Sequence, residues 1–457
     1  MLEDYLHRIY PLVPVVHRPS FREALASNRE NSDPSFLDLL VALCAVSVGN
    51  LPSRFSYYRH TGVNFPFETR KAFVERCHEI LHNRQGPDYY DHLNYQKFAR
   101  AYLMDIALFQ TGHANLARMA ELEALQLARL LALHRIEEYE GLNKIETQLR
   151  KKGFWLLYYS FIHSEVQRLR RERLAFLDPI MLESVNLEAL MPWDVDDEAI
   201  LEDHIVPRTS TDPCLTTSFN IHSLVFWAAH GARHRPASST HSPCHCTRSR
   251  DPQIRANHLQ DRLQDLKYTL HIVPPQLRQW NPLPCHFSAA DFVDPLPVVL
   301  SQFGAMRANL HVTHLWLQSM LMDQLETLLL PSRATIDPGK PLATPDARWS
   351  ERENLCSQLL HILHAIPQAD LEPNGLHLAY KVRDVAVGLL SCPYEPHEPA
   401  SLRAAEYVRE FTEILSRLDS SETVNTTNLQ TWVDTDREKG MMGREDEGTI
   451  TTLQGWG

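Results

Sequence analysis

The chain has no stretch long and apolar enough to cross a bilayer. Its longest apolar run, Leu39 to Val48, falls well short of the roughly 20 residues a spanning helix needs. The opening MLEDYLHRIY lacks the basic and apolar regions of a secretory signal, so the sequence predicts an intracellular protein with no membrane partner. An excess of positive charge is also missing. A formal net charge of -12 opposes the phosphate neutralisation that dominates nucleic-acid affinity. Paired cysteines are absent too: eight are scattered over 457 residues, which suits a reducing compartment and predicts that the sequon at Asn425 stays unglycosylated. No G-x-x-x-x-G-K-[ST], G-x-G-x-x-G or G-x-S-x-G occurs, which removes the commonest phosphate, dinucleotide and hydrolase signatures. Fixed-period repeats are lacking and strand signals are scarce.

What is present is helical periodicity on an ordinary globular composition, 44% hydrophobic and 22% charged, with enough chain to bury a substantial core. The fold class expected is all-α. SDPSFLDLLVALCAVSV reads as a buried helix capped by Asp33, with Pro34 at its first position. AYLMDIALFQTGHANLARMAELEALQLARLLALHR reads as an αα-hairpin joined at Thr111-Gly112-His113, with Ala120, Ala124, Leu127 and Leu131 on one face. A long helix is predicted from Lys152 to Phe176, burying Phe154, Trp155, Tyr158 and Phe161. A core-facing stripe of Leu310, His314, Leu317, Leu321 and Leu328 predicts another.

Pro/Ser/Thr-rich loops punctuate this body at Val206 to Cys214, Arg233 to Pro252 and Leu330 to Ala347. The sequence therefore predicts one helical domain over residues 1–430 and a disordered tail over 431–457, where no core-forming period is seen.

Three clusters carry chemistry. His230, His234, His241, Cys244, His245 and Cys246 offer zinc-binding atoms, but Cys244 and Cys246 are one residue apart, no C-x-x-C knuckle forms, and no second cysteine pair follows; the spacing argues against a metal site. MPWDVDDEAILED gathers Asp194, Asp196, Asp197, Glu198, Glu202 and Asp203. Its Asp196/Asp197 pair raises an all-α magnesium enzyme of terpene-cyclase type as an alternative, although no second half-site follows; the plainer reading is an acidic helix start after Pro192, with carboxylates facing the helix dipole. Arg168, Arg170, Arg171 and Arg173 form a basic run interrupted by Glu172, which reads as a solvated helix face rather than a DNA-binding one. No catalytic, cofactor-binding or metal residue is assigned.

A stiff apolar opening, YLHRIYPLVPVVHRPSF, needs a body to dock on. Through Tyr10, Pro11, Pro14, His17, Arg18, Pro19, Ser20 and Phe21 it resembles the start of the fungal-specific transcription factor domain, or middle homology region, of binuclear zinc-cluster regulators. FQTGHANLARMAELEALQLARLLALHR is similar to that family's helix pair, with Ala132 where a glycine is usual before Leu133, His134 and Arg135. RKKGFWLLYYSFIHSEVQ resembles its tryptophan-containing helix and LEALMPWDVDDEAI its closing Leu-Pro segment, while RRERLAFLDP departs from the usual Gly-Arg-Pro turn. The resemblance implies an all-α regulatory region of a nuclear, RNA polymerase II transcription factor of a metabolic or secondary-metabolite pathway. It implies no catalysis. Co-regulators, the transcription machinery, a homodimeric second copy and a small-molecule effector are the partners it suggests. It also implies that DNA is read through an N-terminal six-cysteine zinc cluster. None of Cys44, Cys77, Cys214, Cys244, Cys246, Cys285, Cys356 and Cys392 has that spacing, so zinc and specific DNA contact are expected only from an element outside these residues. A protein-interaction module without a cluster is a further alternative.

Overall fold

The computed structural model describes residues 1–61, 65–167, 177, 179–208, 212–231, 251–279, 295–329 and 345–418. Across them the chain is helical, as the periodicity predicts. In order come α1 (Leu2–Asp4), α2 (Arg18–Ala26), α3 (Pro34–Asn50), α4 (Pro52–Thr61), α5 (Arg70–Asn83), α6 (Tyr95–Gln110), α7 (Ala114–Leu130) and α8 (Lys144–Gln167). After α9 (Pro179–Ser184) follow α10 (Leu215–His230), α11 (Pro252–Thr269), α12 (Pro295–Leu329), α13 (Pro345–Ala365), α14 (Gln368–Leu371), α15 (Gly375–Val387) and α16 (Pro399–Leu418). Extended pairing among the described residues is limited to an antiparallel bridge between Ile200 and Ile205.

Helix starts follow local chemistry. The Asp33 carboxylate accepts the Ser35 and Phe36 N–H groups at 3.0 and 3.1 Å, satisfying donors that a helix leaves open at its first turn. Asn94 does the same for Lys97 at 2.9 Å and Asn143 for Glu146 at 2.7 Å. The Asn143 cap explains why α8 begins at Lys144, earlier than the predicted Lys152; residues 168–176 of the predicted helix lie outside the described residues. The αα-hairpin joins at Thr111-Gly112-His113 as read from sequence. At the end of α7 the Leu133 N–H reaches the Ala128 carbonyl at 3.0 Å and Ala132 N–H reaches Arg129 at 3.0 Å, a Schellman closure. It places Ala132 at φ 53°, a left-handed conformation that suits glycine.

Two helical groups share one buried core running from Tyr5 to Leu415. In the first, α3 packs against α5 and α6, and α6 against α7; in the second, α12 is surrounded by α10, α11, α13 and α15, with α16 closing over α13 and α15. α8 touches α6, α10 and α12 and so belongs to both. Its approach to α6 depends on Gly153, where a Cβ would come within 2.9 Å of the Phe98 ring. The predicted stripe of α12 is buried at Leu310, His314, Leu317 and Leu321 and half-buried at Leu328, and Val312, Leu315 and Trp316 are buried too. α12 is thus a central helix rather than an amphipathic surface one. Phe154, Trp155, Tyr158 and Phe161 are all in the core.

Two of the three predicted loops fall largely outside the described residues, as does the 431–457 tail. Asp251 and Pro252, at the end of the second loop, already cap and start α11, and Pro345 starts α13. Among the described residues no single helix is long and apolar enough to cross a membrane.

Candidate functional site

The densest polar constellation in the interior forms where the N-terminal segment, α8 and the segment before α10 meet. α8 presents Lys152, which is 1% exposed despite its charge. Gln148, one turn earlier on α8, exchanges hydrogen bonds with the Trp193 backbone: its amide donates to the Trp193 carbonyl at 3.0 Å and its carbonyl accepts the Trp193 N–H at 2.9 Å. The Trp155 indole donates to the Leu190 carbonyl at 3.0 Å, and the Lys151 ammonium lies 4.6 Å from the centre of the Trp193 ring. These contacts fix the Leu190–Trp193 run on α8 and aim the next residues inward.

Asp197 is the result. The sequence reads an acidic helix start after Pro192; the chain instead makes a short 3₁₀ turn over Asp197–Ala199 and buries Asp197 to 2% exposure. Its carboxylate accepts from Lys152 Nζ at 2.9 Å and from the Arg18 N–H at 3.0 Å. The Tyr10 hydroxyl donates to it as well. Its backbone carbonyl accepts from His17 Nε2 at 2.8 Å. That bond sets the imidazole tautomer: with the proton on Nε2, Nδ1 is free to accept the Ser20 hydroxyl at 2.8 Å and to cap α2. The Arg18 guanidinium reaches Glu198 at 2.9 Å and lies 4.9 Å from the centre of the Tyr10 ring.

Charge closes within this site. Burial alone would raise the Asp197 carboxyl, but Lys152 and Arg18, with the Tyr10 and Arg18 hydrogen bonds, hold it down to about 2. Asp196, beside it and only partly exposed, is shifted upward, chiefly by burial. Lys152 sits on one carboxylate oxygen of Asp197, and Tyr10 and Arg18 on the other, so both oxygens are engaged by protein donors. The Asp197 charge is thus already balanced by Lys152 and Arg18 within the protein. Among the described residues no group of three or more His, Cys, Asp or Glu side chains is gathered to hold a metal ion.

The other sequence candidates are not brought together. His230 ends α10, half-buried with its ring against Tyr158 and Phe161, and desolvation followed by Arg262 and His258 lowers its pKa to about 3. His234, His241, Cys244, His245 and Cys246 lie outside the described residues, as do Arg168, Arg170, Arg171 and Arg173. A cleft of about 160 Å³ opens between α11, α12 and α13, floored by Leu263, Met322 and Leu325. The Lys267–Glu351 ion pair stands at its edge.

Three of the four segments that carry the family resemblance, the opening segment, the α8 segment and LEALMPWDVDDEAI, thus meet at Asp197. Residues 2–160 match the family model described as fungal specific transcription factor domain. Over these residues the chain is similar to a fungal specific transcription factor domain. The match runs from the docked N-terminal segment through α7 and most of α8, and it includes Tyr10, His17, Arg18 and Lys152; Asp197 lies beyond it. No curated protein and no solved structure matches the chain.

Lys152 escapes a reading by charge pattern because it precedes an apolar run, GFWLLYY. The available signal is its helical register: Trp155 and Leu156, one turn away, are core residues, so a lysine on that face must find a buried partner.

Proposed function

We propose that the chain is the regulatory portion of a nuclear fungal transcription factor that controls RNA polymerase II genes, and that it performs no catalysis itself. The observation that supports this most strongly is the match to the fungal specific transcription factor domain over residues 2–160. The locked N-terminal segment gives that reading a physical form. Tyr10, His17 and Arg18 tie the start of the chain to Asp197 and Lys152 in the body, so a DNA-binding element joined upstream would be held by a rigid connection rather than a loose one.

In this proposal residues 1–430 act as one unit, supported by the continuous core from Tyr5 to Leu415. Sequence-specific DNA contact belongs to a zinc element outside residues 1–457, because the -12 net charge disfavours counterion release at a DNA surface. The unit restrains or licenses transcriptional output, through co-regulators or a small metabolite, in a metabolic pathway.

The test places the full chain behind a heterologous DNA-binding domain in a fungal reporter strain. Output is expected to differ at least several-fold from that of the DNA-binding domain alone, and Asp197→Ala is expected to change it further. Equal output for all three fusions at equal protein level, together with magnesium-dependent turnover of prenyl diphosphates by the purified chain, would replace the regulatory reading with an enzymatic one.

A further inference from the structure

α15 carries a lysine among alkyl groups. Leu378, Val382 and Val385 are buried on the face that packs on α12, and Lys381 lies with them at 5% exposure. Its Nζ donates to Thr313 Oγ1 at 2.7 Å and lies 3.4 Å from Asn309 Oδ1, both on α12. The ring centres of Trp316 and Phe226 are 5.8 and 5.9 Å away. No carboxylate is paired with it among the described residues, and burial is the influence that shifts its titration.

Donor counting distinguishes the two states of this amine. An ammonium brings three N–H donors and a neutral amine two; the site offers two acceptors, Thr313 Oγ1 and Asn309 Oδ1. The Thr313 hydroxyl can spend its own hydrogen on Asn309 Oδ1 at 3.2 Å or on His222 Nε2 at 3.4 Å. Neighbouring groups do not supply a counter-charge. On α10, His222 is pushed toward its neutral form by burial and then by Lys381. From α8, His163 stacks on Trp316 with ring centres 4.4 Å apart, and Tyr159 meets His222 edge-on at 4.8 Å. On α15 itself, Asp384 accepts from the Trp316 indole and pairs with Arg383.

We propose that Lys381 is a proton-linked switch in the core: the neutral amine lets α15 pack on α12 and α10, and protonation loosens that packing. Burial brings its pKa from 10.5 down to about 7. The unfolded chain keeps the proton until about pH 10.4. Between pH 7 and that value the unfolded state binds more protons than the folded one, so stability rises with pH across this window and the dependence fades below pH 7. The packing of α15 is therefore poised to respond to changes near neutral pH.

The experiment compares urea unfolding of the full-length wild type and Lys381→Met at pH 7, 8 and 9. Groups that titrate in both proteins cancel in the ratio of their folding constants. That ratio, wild type over variant, is expected to rise about fivefold from pH 7 to 8 and about ninefold from pH 8 to 9; a ratio constant within twofold from pH 7 to 9 overturns the proposal. If Lys381→Met does not fold, amide exchange of the wild type decides, after correction for intrinsic rates. Protection of residues 375–387 is expected to increase between pH 7 and 9 relative to α3, and an equal change in both helices overturns it.

Discussion

Replacing Asp197 with alanine should remove about 3–5 kcal/mol of stability, the range for breaking a buried ion pair by deleting one partner. The structure says where the loss arises. Arg18 keeps Glu198 at 2.9 Å and Asp196 at 3.9 Å after the truncation. Lys152 keeps only the Tyr10 hydroxyl at 3.3 Å, in a position that is 1% exposed. The main cost is therefore an ammonium left in the core without its counter-ion, not the loss of attraction as such. Titration gives a smaller number for the same carboxylate. With its pKa held at about 2 against an unfolded value near 3.9, the group contributes about 2 to 3 kcal/mol, present above pH 4 and lost as pH falls toward 2. The two figures differ because protonation leaves a neutral carboxyl that still accepts hydrogen bonds, whereas alanine leaves nothing. Urea denaturation of the full chain at pH 7 measures the first figure, and amide exchange of residues 5–21 reports whether the N-terminal segment has come loose. The reasoning also requires that Asp197→Leu combined with Lys152→Met recover most of the loss, since an apolar pair strands no charge. A loss below about 1 kcal/mol for Asp197→Ala, or a double variant as unstable as the single one, would refute it.

Phe154→Ala and Phe161→Ala should each cost about 3–5 kcal/mol in chemical denaturation, because both rings are buried among aromatic neighbours; unchanged midpoints would remove α8 from the core. Ala132→Gly should stabilise by about 0.5–1 kcal/mol, since the left-handed backbone at φ 53° costs an L-residue about 1–2 kcal/mol, part of which glycine's greater unfolded-state freedom offsets. A destabilised Ala132→Gly protein would contradict that account of the turn.

The helical class, the Asp33 cap, the α6–α7 join and the aromatic face of α8 were legible in the sequence because each is set by residues within one or two turns of each other. The start of α8 was less so. Asn143 comes two residues after Gly141 in EEYEGLN, and its capping role shows only once the Glu146 N–H is seen on its side chain. The site was legible only in halves. Tyr10, His17 and Arg18 stand out in a proline-stiffened segment, and Asp197 in an acidic one, but nothing local shows that they meet across some 180 residues. The acidic run misled for a physical reason: a helix dipole favours carboxylates at an N-terminus, yet a buried lysine at 2.9 Å and an adjacent guanidinium offer Asp197 more. Ala132 is the converse case, since its departure from the glycine of the resembling pattern became intelligible from one dihedral angle.

The lock at Asp197 also bears on how the polypeptide is made. Tyr10 and its acceptor are 187 residues apart, which at about 5–20 residues per second corresponds to roughly 10–40 s of translation. Throughout that interval the opening residues can be held only by early partners, such as α3, which packs on α1 and on the Tyr5–Ile9 turn, and Ser47, which bonds the Met1 carbonyl. The contacts of Tyr10, His17 and Arg18 to Asp197 are therefore late to close on the opening segment, after its packing on α3 has become possible.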